Sequence, residues 1–280
     1  MRVDAHVHFW GPAELERYDW MTPEMDAIRR PFGPQDLIGH LERHDFDCAV
    51  LVQTCSSVEE TRGFLETAAA TPTIAGVVGW VDLTSPDVAD RLAELRARPH
   101  GRYLVGIRHQ VHDEPDPEWL LRDDVRRGLR AVAEAGFAYD LLVRTRELPA
   151  AVAVARALPQ LRFVVDHIAK PPIASGELEP WAERMAELAR LEHVSCKLSG
   201  IVTEAEWRSW RPEDVGPYVS RVTEWFGDER LIFGSDWPVC TLAASYDAVV
   251  ALAEQFAGAG NEAVFGRNAA RVYGLEAEER

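Results

Sequence analysis

Two histidines separated by one residue stand near the start of the chain and could take part in chemistry. They are His6 and His8, within the segment Arg-Val-Asp-Ala-His-Val-His of residues 2–8. Side chains alternate faces along a strand, so both imidazoles should point to the same side. Such a pair can bind a divalent metal ion or an anionic substrate, whereas burying it without partners costs free energy. The pair therefore predicts a functional site, provided that partners elsewhere in the chain complete it.

Candidate partners recur at the ends of the other apolar, strand-like segments. Because those segments are apolar along their bodies, polar, ionisable and aromatic residues gathered at one end of most of them indicate a common site. They are Gln53, Trp80, Arg108, His109, Asp166, His167, Lys170, Lys197, Asp236 and Trp237.

Eight apolar segments suit parallel strands buried on both faces, and amphipathic segments alternate with them. This alternation predicts an α/β fold, a (β/α)8 TIM barrel. A doubly wound open sheet is the alternative, but a Gly-rich loop after the first strand, usual in that fold, is lacking. The predicted strands are Val3–His8, Cys48–Thr54, Ile74–Val81, Leu104–His109, Ala138–Val143, Arg162–His167, Val194–Ser199 and Leu231–Ser235.

Two segments lie outside the plain repeat. Phe9–Gly33 is a long insert after the first strand, of a length that favours a functional lid. Asn261–Leu275 is expected to form a closing helix that packs on the barrel. The chain has no composition break or linker, so residues 1–280 are expected to form a single domain.

The overall composition excludes some partners. Thirty Lys and Arg against forty-six Asp and Glu give a net charge of −16, which argues against nucleic acid and against an anionic membrane as a partner. No apolar run approaches the ~18 residues of a membrane span, and a cleavable signal peptide is not expected. The four cysteines form no C-x-x-C pair, which favours a reducing cytoplasm. The sequence leaves the oligomeric state open, and a homo-oligomer is one of the alternatives.

Five strand-end motifs and the tail resemble the amidohydrolase superfamily. The similarity is to its branch of sugar-acid lactonases, represented by fuconolactonases and rhamnonolactonases, and covers essentially the whole chain in the correct order. The motifs are Asp-Ala-His-Val-His (4–8), Val-Gly-Ile-Arg-His (105–109), Val-Asp-His-Ile-Ala-Lys-Pro (165–171), Cys-Lys-Leu-Ser-Gly (196–200), Phe-Gly-Ser-Asp-Trp-Pro (233–238) and residues 265–275.

The resemblance implies roles for particular residues. His6, His8, His167 and Asp236 match the metal or reaction-centre positions, with Asp236 as the general base that takes a proton from water. His6, His8 and Asp236 would be the metal ligands if a metal is bound. The residues expected to bind a small anionic or polyhydroxy substrate are Gln53, Arg108, His109, Lys170, Lys197, Trp10, Trp80 and Trp237.

The sequence departs from the superfamily members that hold two metal ions. No histidine ends the fifth predicted strand, and the fourth ends in Arg108-His109 rather than in a lysine able to bridge two metals as a carbamate. A two-metal centre is therefore not expected. One divalent ion, zinc or manganese, and a metal-independent site are both left open, because nearby cations could polarise a carbonyl instead.

These observations predict a hydrolase that opens a small lactone, and they favour a sugar-acid lactone. The enzyme alternative is a metal-dependent decarboxylase of an aromatic or unsaturated carboxylic acid. The non-enzyme alternative is a barrel that only binds a sugar acid. Purely structural roles also compete: Asp236 could cap a helix, His167 could be a core histidine, and Lys170 and Lys197 could form ion pairs.

Overall fold

Eight parallel strands lie side by side in sequence order, each hydrogen-bonded to the next. They are seen in a computed structural model that describes residues 1–15, 18 and 20–275. Parallel neighbours need a crossover connection, which the intervening helices supply. The strands are β1 (Val3–Val7), β2 (Cys48–Val52), β3 (Ile74–Gly79), β4 (Leu104–Gln110), β5 (Ala138–Leu142), β6 (Arg162–Val165), β7 (Val194–Leu198) and β8 (Leu231–Phe233).

The helices other than the first and the last surround the sheet and bury apolar residues against it. None of the described helices combines the length and the apolar character that crossing a membrane requires. The helices are α1 (Pro12–Leu15), α2 (Pro34–Arg43), α3 (Val58–Ala70), α4 (Val88–Ala97), α5 (Asp123–Glu134), α6 (Leu148–Ala157), α7 (Trp181–Ala189), α8 (Pro212–Phe226), α9 (Tyr246–Ala257) and α10 (Asn268–Tyr273).

The sheet closes on itself where the end of β1 meets the segment after β8. The Asp236 N–H donates to the His6 carbonyl at 2.9 Å, and the His8 N–H donates to the Trp237 carbonyl at 2.8 Å. These bonds join the first and last strands without a continuous ladder between them. The predicted (β/α)8 barrel is confirmed.

The last helix covers one end of the barrel interior. Its side chains pack with residues from the beginnings of the strands, so α10 closes the end where the strands start, and the predicted closing helix is confirmed. The interior cluster includes Val3, Ala5, Val50, Val105, Ala138, Val164, Ile232, Ala269, Val272 and Tyr273.

The predicted long insert, Phe9–Gly33, is folded wherever it is described. Besides α1 it contains a 3₁₀ segment, Pro23–Ile28, which packs on the 3₁₀ segment that follows β8. Trp10 forms an antiparallel bridge with Phe32, which ties the two ends of the insert together. Part of the predicted lid, Glu16, Arg17 and Asp19, lies outside the described residues.

Candidate active site

A β-bulge in β1 allows both histidines to face the barrel interior. Between Asp4 and Val7 the pairing of β1 with β2 shifts register. A bulge of this kind changes the alternation of side chains and often re-aims a residue beside an active site. Ala5 packs inside the barrel and Val7 outside it, yet His6 and His8 meet with their Nε2 atoms 3.1 Å apart.

The protonation of each histidine follows from its surroundings. His8 Nδ1 lies 2.8 Å from the Val52 carbonyl oxygen. A carbonyl only accepts, so Nδ1 of His8 carries a proton. Burial, reinforced by the charge of Lys197, lowers the pKa of His6 well below its ordinary value. His6 is therefore a neutral imidazole at physiological pH.

His167 is presented by a left-handed turn directly after β6. Four successive residues, His167 to Lys170, have φ angles of 52°, 47°, 59° and 45°. Non-glycine residues in this region cost about 1–2 kcal/mol each, and such strain concentrates at functional sites. The turn explains why β6 stops at Val165 rather than at His167 as predicted. It holds His167 Nδ1 2.9 Å from Ser199 Oγ.

Asp236 follows β8 and faces all three imidazoles. Its Oδ1 lies 3.4 Å from His8 Nε2, 3.7 Å from His6 Nε2 and 4.0 Å from His167 Nε2. Burial acts to raise the pKa of Asp236, but His167 and His8 outweigh burial and bring the pKa below its ordinary value. The carboxylate is ionised and is surrounded by groups that can orient water.

A layer of buried charges lies beneath the histidines. Lys197 Nζ contacts Asp140 Oδ2 at 2.6 Å, Asp166 Oδ1 at 2.9 Å and His6 Nδ1 at 3.1 Å. Arg108 donates through NH1 to Asp166 Oδ2 at 3.0 Å. Burial acts to raise the pKa of Asp166, but Lys197, His6 and Arg108 together take it well below the usual range. These cations therefore balance carboxylates that belong to the protein.

Gln53 fixes the position of Arg108. Its Oε1 accepts from Arg108 Nε at 2.9 Å, and its backbone carbonyl accepts from Arg108 NH2. Its own amide group donates to Gln110 Oε1 at 3.0 Å and to the Cys55 carbonyl at 3.1 Å. Gln53 is wholly buried, so it orients the guanidinium.

Three further predicted binding residues have protein partners of their own. His109 Nδ1 accepts from Trp80 Nε1 at 2.9 Å, and His109 Nε2 lies 2.7 Å from Glu114 Oε1. Lys170 Nζ lies 2.7 Å from Glu204 Oε1, so the ion pair considered for Lys170 is present. These residues form walls on the strand-end side of the barrel.

Two predicted binding residues have indole rings that pack against the insert. Trp10 Nε1 donates to backbone carbonyls within the insert, and Trp10 lines a cavity of about 530 Å³ between the insert and α3. Trp237 is buried and packs edge-on against Phe9 and Phe32. Both rings stabilise the insert, because each packs edge-on against flanking aromatic side chains.

Sequence reasoning missed several residues that position the site. Asp4 lies in the first motif, yet its role was not foreseen: its carboxylate accepts from Ser235 N, His6 N and Tyr246 Oη. The sequence does contain a signal for Asp140, because a carboxylate inside an otherwise apolar strand indicates a buried polar contact. Tyr273 gave none, because its hydroxyl reaches Asp140 at 2.9 Å from the far end of the barrel.

The comparisons with known proteins agree with this geometry. The family described as amidohydrolase matches residues 3–275. The chain belongs to the amidohydrolase family. It is 44% identical, over 98% of its length and 96% of the relative's, to a protein of Burkholderia ambifaria named L-fucono-1,5-lactonase. A Burkholderia multivorans protein of the same name is 38% identical over 98% of this chain and 96% of its own. The predicted resemblance is confirmed.

Among solved structures, an amidohydrolase from Burkholderia multivorans with bound zinc is similar throughout. The TM-score is 0.92, with 38% sequence identity over 99% of this chain and all of that one. This similarity supports the barrel of the present amidohydrolase over its described length.

The donor atoms of this amidohydrolase fit one divalent metal ion. Single ligand atoms of His6, His167 and Asp236 all lie within 4.8 Å of one another, and His8 Nε2 adjoins two of them. Imidazole nitrogens with one carboxylate oxygen are typical zinc ligands. The predicted ligands His6, His8 and Asp236 thus have His167 as an additional candidate. These groups expose 5% or less of their surface, which suits a dry site.

Proposed function

We propose that this amidohydrolase opens a sugar-acid lactone by adding water to its carbonyl, with L-fucono-1,5-lactone as the first candidate substrate. The observation that carries the proposal is the buried Asp236 carboxylate within 4.0 Å of the Nε2 atoms of His6, His8 and His167. The names of both Burkholderia relatives agree with the predicted lactone hydrolase.

Each group has a distinct role in this proposal. Asp236, ionised because its pKa is lowered, accepts a proton from the attacking water. His167 would stabilise the negative charge that develops on the carbonyl oxygen, since a fixed donor in a dry site is effective there. His8 Nε2 lies 3.4 Å from Asp236 Oδ1 and would help to orient the water.

A divalent metal ion, when bound by His6, His8, His167 and Asp236, would lower the pKa of water and polarise the carbonyl. Chelator-treated protein assayed before and after addition of zinc or manganese tests this part of the proposal. Turnover that is lost and then restored establishes a metal role. Full turnover of metal-free protein excludes one.

The test of the base is Asp236→Asn, which keeps the shape and removes the proton acceptor. We expect turnover to fall by about 10²–10⁴-fold, the range for general acid–base groups, without loss of the fold. Asp90→Asn, on the exposed surface of α4, is the matched control and should keep full activity. Retained activity in a folded Asp236→Asn protein would contradict the mechanism.

The substrate is tested with a panel of aldonolactones and a pH indicator, because ring opening releases a proton. We expect 1,5-lactones of 6-deoxy sugar acids to react fastest. Release of CO₂ from aromatic or unsaturated acids would instead favour a decarboxylase, and ligand binding without turnover would favour a sugar-acid-binding barrel.

The proposal retains four expectations from the sequence. They are substrate contacts by His109, Lys170 and Trp80 at the barrel mouth, a single domain over residues 1–280, a cytoplasmic location and an acidic surface that does not bind nucleic acid.

A further inference from the structure

Trp80 is a large aromatic residue that the hydrophobic core does not use. It follows β3 directly and is half-buried, yet it packs into neither of the two hydrophobic clusters that the described residues form. Its ring neighbour among the described aromatic residues is His109, with the centroids 6.3 Å apart. Ligand pockets are lined mainly by apolar and aromatic side chains with a few fixed polar groups, so Trp80 is a candidate for contact with a ligand.

The course of the chain at the end of β3 turns Trp80 toward the barrel interior. Val78 packs inside the barrel, whereas Val81 packs in the outer hydrophobic cluster. A Cβ added to Gly79 would meet the side chain of Thr61 in the surrounding helix α3. Both neighbours of Trp80 in the sequence thus face outward, and the alternation of side chains along extended backbone turns the indole inward.

The register of the sheet sets Trp80 at the depth of the imidazoles. Gly79 pairs with Ile107, so Trp80 is level with the next residue of β4, Arg108. The NH1 atom of Arg108 lies 3.2 Å from His6 Nε2. Trp80 therefore stands on the wall of the barrel beside the space that a substrate of this site would occupy.

The indole of Trp80 is fixed through its nitrogen. Nε1 donates to His109 Nδ1 at 2.9 Å. Because an indole N–H only donates, Nδ1 of His109 is the acceptor and the imidazole proton lies on Nε2, where Glu114 Oε1 accepts it at 2.7 Å. Trp80 and Glu114 therefore require the same tautomer of His109. The backbone of Trp80 is held as well, since its N–H donates to Thr61 Oγ1 at 2.8 Å.

Both ring nitrogens of His109 are occupied by protein groups, and one face of the ring is covered. Trp119 stacks on that face, with the centroids 4.3 Å apart and the planes 9° apart. Trp119 is itself buried in the outer hydrophobic cluster, so it holds the imidazole in place. The side chain of His109 is 12% exposed. A contribution of His109 to substrate binding therefore passes through Trp80.

We propose that Trp80 binds the C–H face of the lactone ring and that His109, held by Glu114 and Trp119, is the positioning residue that orients the indole. With its N–H occupied, the indole offers a substrate its π face and its C–H edges, which suit an apolar ring face rather than hydroxyl groups. This role rests on the proposed function for the substrate. It also divides the contacts expected at the barrel mouth: Trp80 touches the substrate, and His109 acts through Trp80.

The first test follows the indole itself and needs no turnover. The Nε1–H signal of Trp80 in ¹⁵N-labelled protein is assigned by its loss in Trp80→Phe. We expect its exchange with water to be about tenfold faster in His109→Phe, which keeps the stacking on Trp119 but removes the acceptor. His109→Asn should restore slow exchange, because its Oδ1 can take the place of Nδ1. Exchange in a folded His109→Phe protein as slow as in the parent would overturn the positioning role.

The second test separates KM from kcat for a lactone that the parent protein opens. Trp80→Leu should raise KM about tenfold and leave kcat nearly unchanged, because a contact made equally in the ground state and the transition state affects KM alone. His109→Phe should raise KM by a smaller factor, and His109→Asn should return KM toward the parent value. An unchanged KM in folded Trp80→Leu, or a loss confined to kcat, would overturn the substrate contact.

Two variants at the opposite end of the barrel are the matched controls. Trp225→Leu removes a half-buried indole from the last turn of α8, and His193→Phe removes a half-buried imidazole that precedes β7. Both should leave KM and the exchange of the Trp80 Nε1–H unchanged. A rise in KM in the controls equal to that in Trp80→Leu would show a general loss of structure and would overturn the assignment.

A last measurement separates this role from the proposed function. If the parent protein opens none of the aldonolactones in the panel, the proposed function fails, and the Trp80 Nε1–H signal is followed while the same lactones and their aldonates are added. A shift that saturates supports the contact with Trp80, whereas a signal that does not move overturns it. This titration of the unaltered protein also decides alone if the variants fail to fold.

Discussion

Replacing Asp4 should weaken the seam that closes the barrel. This wholly buried carboxylate accepts from Ser235 N at 2.8 Å, from His6 N at 3.2 Å and from Tyr246 Oη at 2.9 Å. It thereby ties β1, which carries two of the imidazoles, to the segment that carries Asp236. Asp4→Ala would leave these three buried donors without their acceptor.

The loss of stability in Asp4→Ala follows from the number of buried donors that lose their acceptor. A buried donor left without an acceptor costs about 1–3 kcal/mol, so three should cost about 3–5 kcal/mol once water enters the space. Burial raises the pKa of Asp4 to about 6. The charged form is thus disfavoured in the fold, and the stability due to Asp4 is present at low pH and is lost as pH rises through 6. The loss in Asp4→Ala should therefore be about 3–5 kcal/mol at pH 5 and about 1.4 kcal/mol smaller at pH 7.

The assay combines urea unfolding at both pH values with kcat and KM for a lactone. Asp4→Asn is the matched variant, because its Oδ1 still accepts both backbone N–H groups and its amide can donate to Tyr246 Oη. We expect it to lose about 1–2 kcal/mol and to keep most of its kcat, whereas Asp4→Ala should lose kcat at temperatures where it is folded. An Asp4→Ala protein within about 1 kcal/mol of the parent, with unchanged kcat, would refute the reasoning.

Three further changes have definite expected results. Gly200→Ala should lower the free energy of unfolding by about 2–4 kcal/mol and remove most of kcat, because φ is +55° and the new Cβ would lie 2.5 Å from His167 Nδ1. The control is Gly176→Ala, where φ is +73° but the space for a Cβ is open. Urea unfolding and steady-state kinetics compare the two variants. Burial lowers the pKa of both His6 and His167. Their contribution to stability is therefore complete above about pH 6.5 and declines below it, by about 1.4 kcal/mol per pH unit for each residue. Urea unfolding of chelator-treated protein between pH 7 and pH 5 should show a shallower decline for His167→Asn than for the parent. Lys170→Met should raise KM several-fold at constant kcat if Lys170 binds substrate, and steady-state kinetics that leave KM unchanged would restrict it to an ion pair.

The fold was predictable because its signal is repeated along the chain. Continuous apolar runs indicated each parallel strand, and amphipathic segments between them indicated the helices. The start of α5 at Asp123 has a weaker signal, since a short 3₁₀ turn, Trp119–Leu121, precedes it. The left-handed turn after β6 has no signal in residue type, because His, Ile, Ala and Lys rarely adopt that conformation.

The central groups of the site were predictable because strand ends meet at one end of a barrel. That reasoning brought together His6, His8, His167 and Asp236 correctly. It could not tell which cations face the substrate, because pairing with buried carboxylates depends on register across the barrel. Lys197 was predicted as a binding residue, yet the structure places it among Asp140, Asp166 and His6.

The contact between Tyr273 and Asp140 has a consequence for how the protein is made. Synthesis proceeds from the N-terminus, and domains begin to fold as they emerge. All eight strands precede Tyr273, so its hydroxyl is the last of the groups around Asp140 and Lys197 to be translated. The final turn of the final helix is thus the last part to reach the charged centre. A chain that stops before Tyr273 would lack the hydroxyl that bonds Asp140, the partner of the lysine that contacts His6.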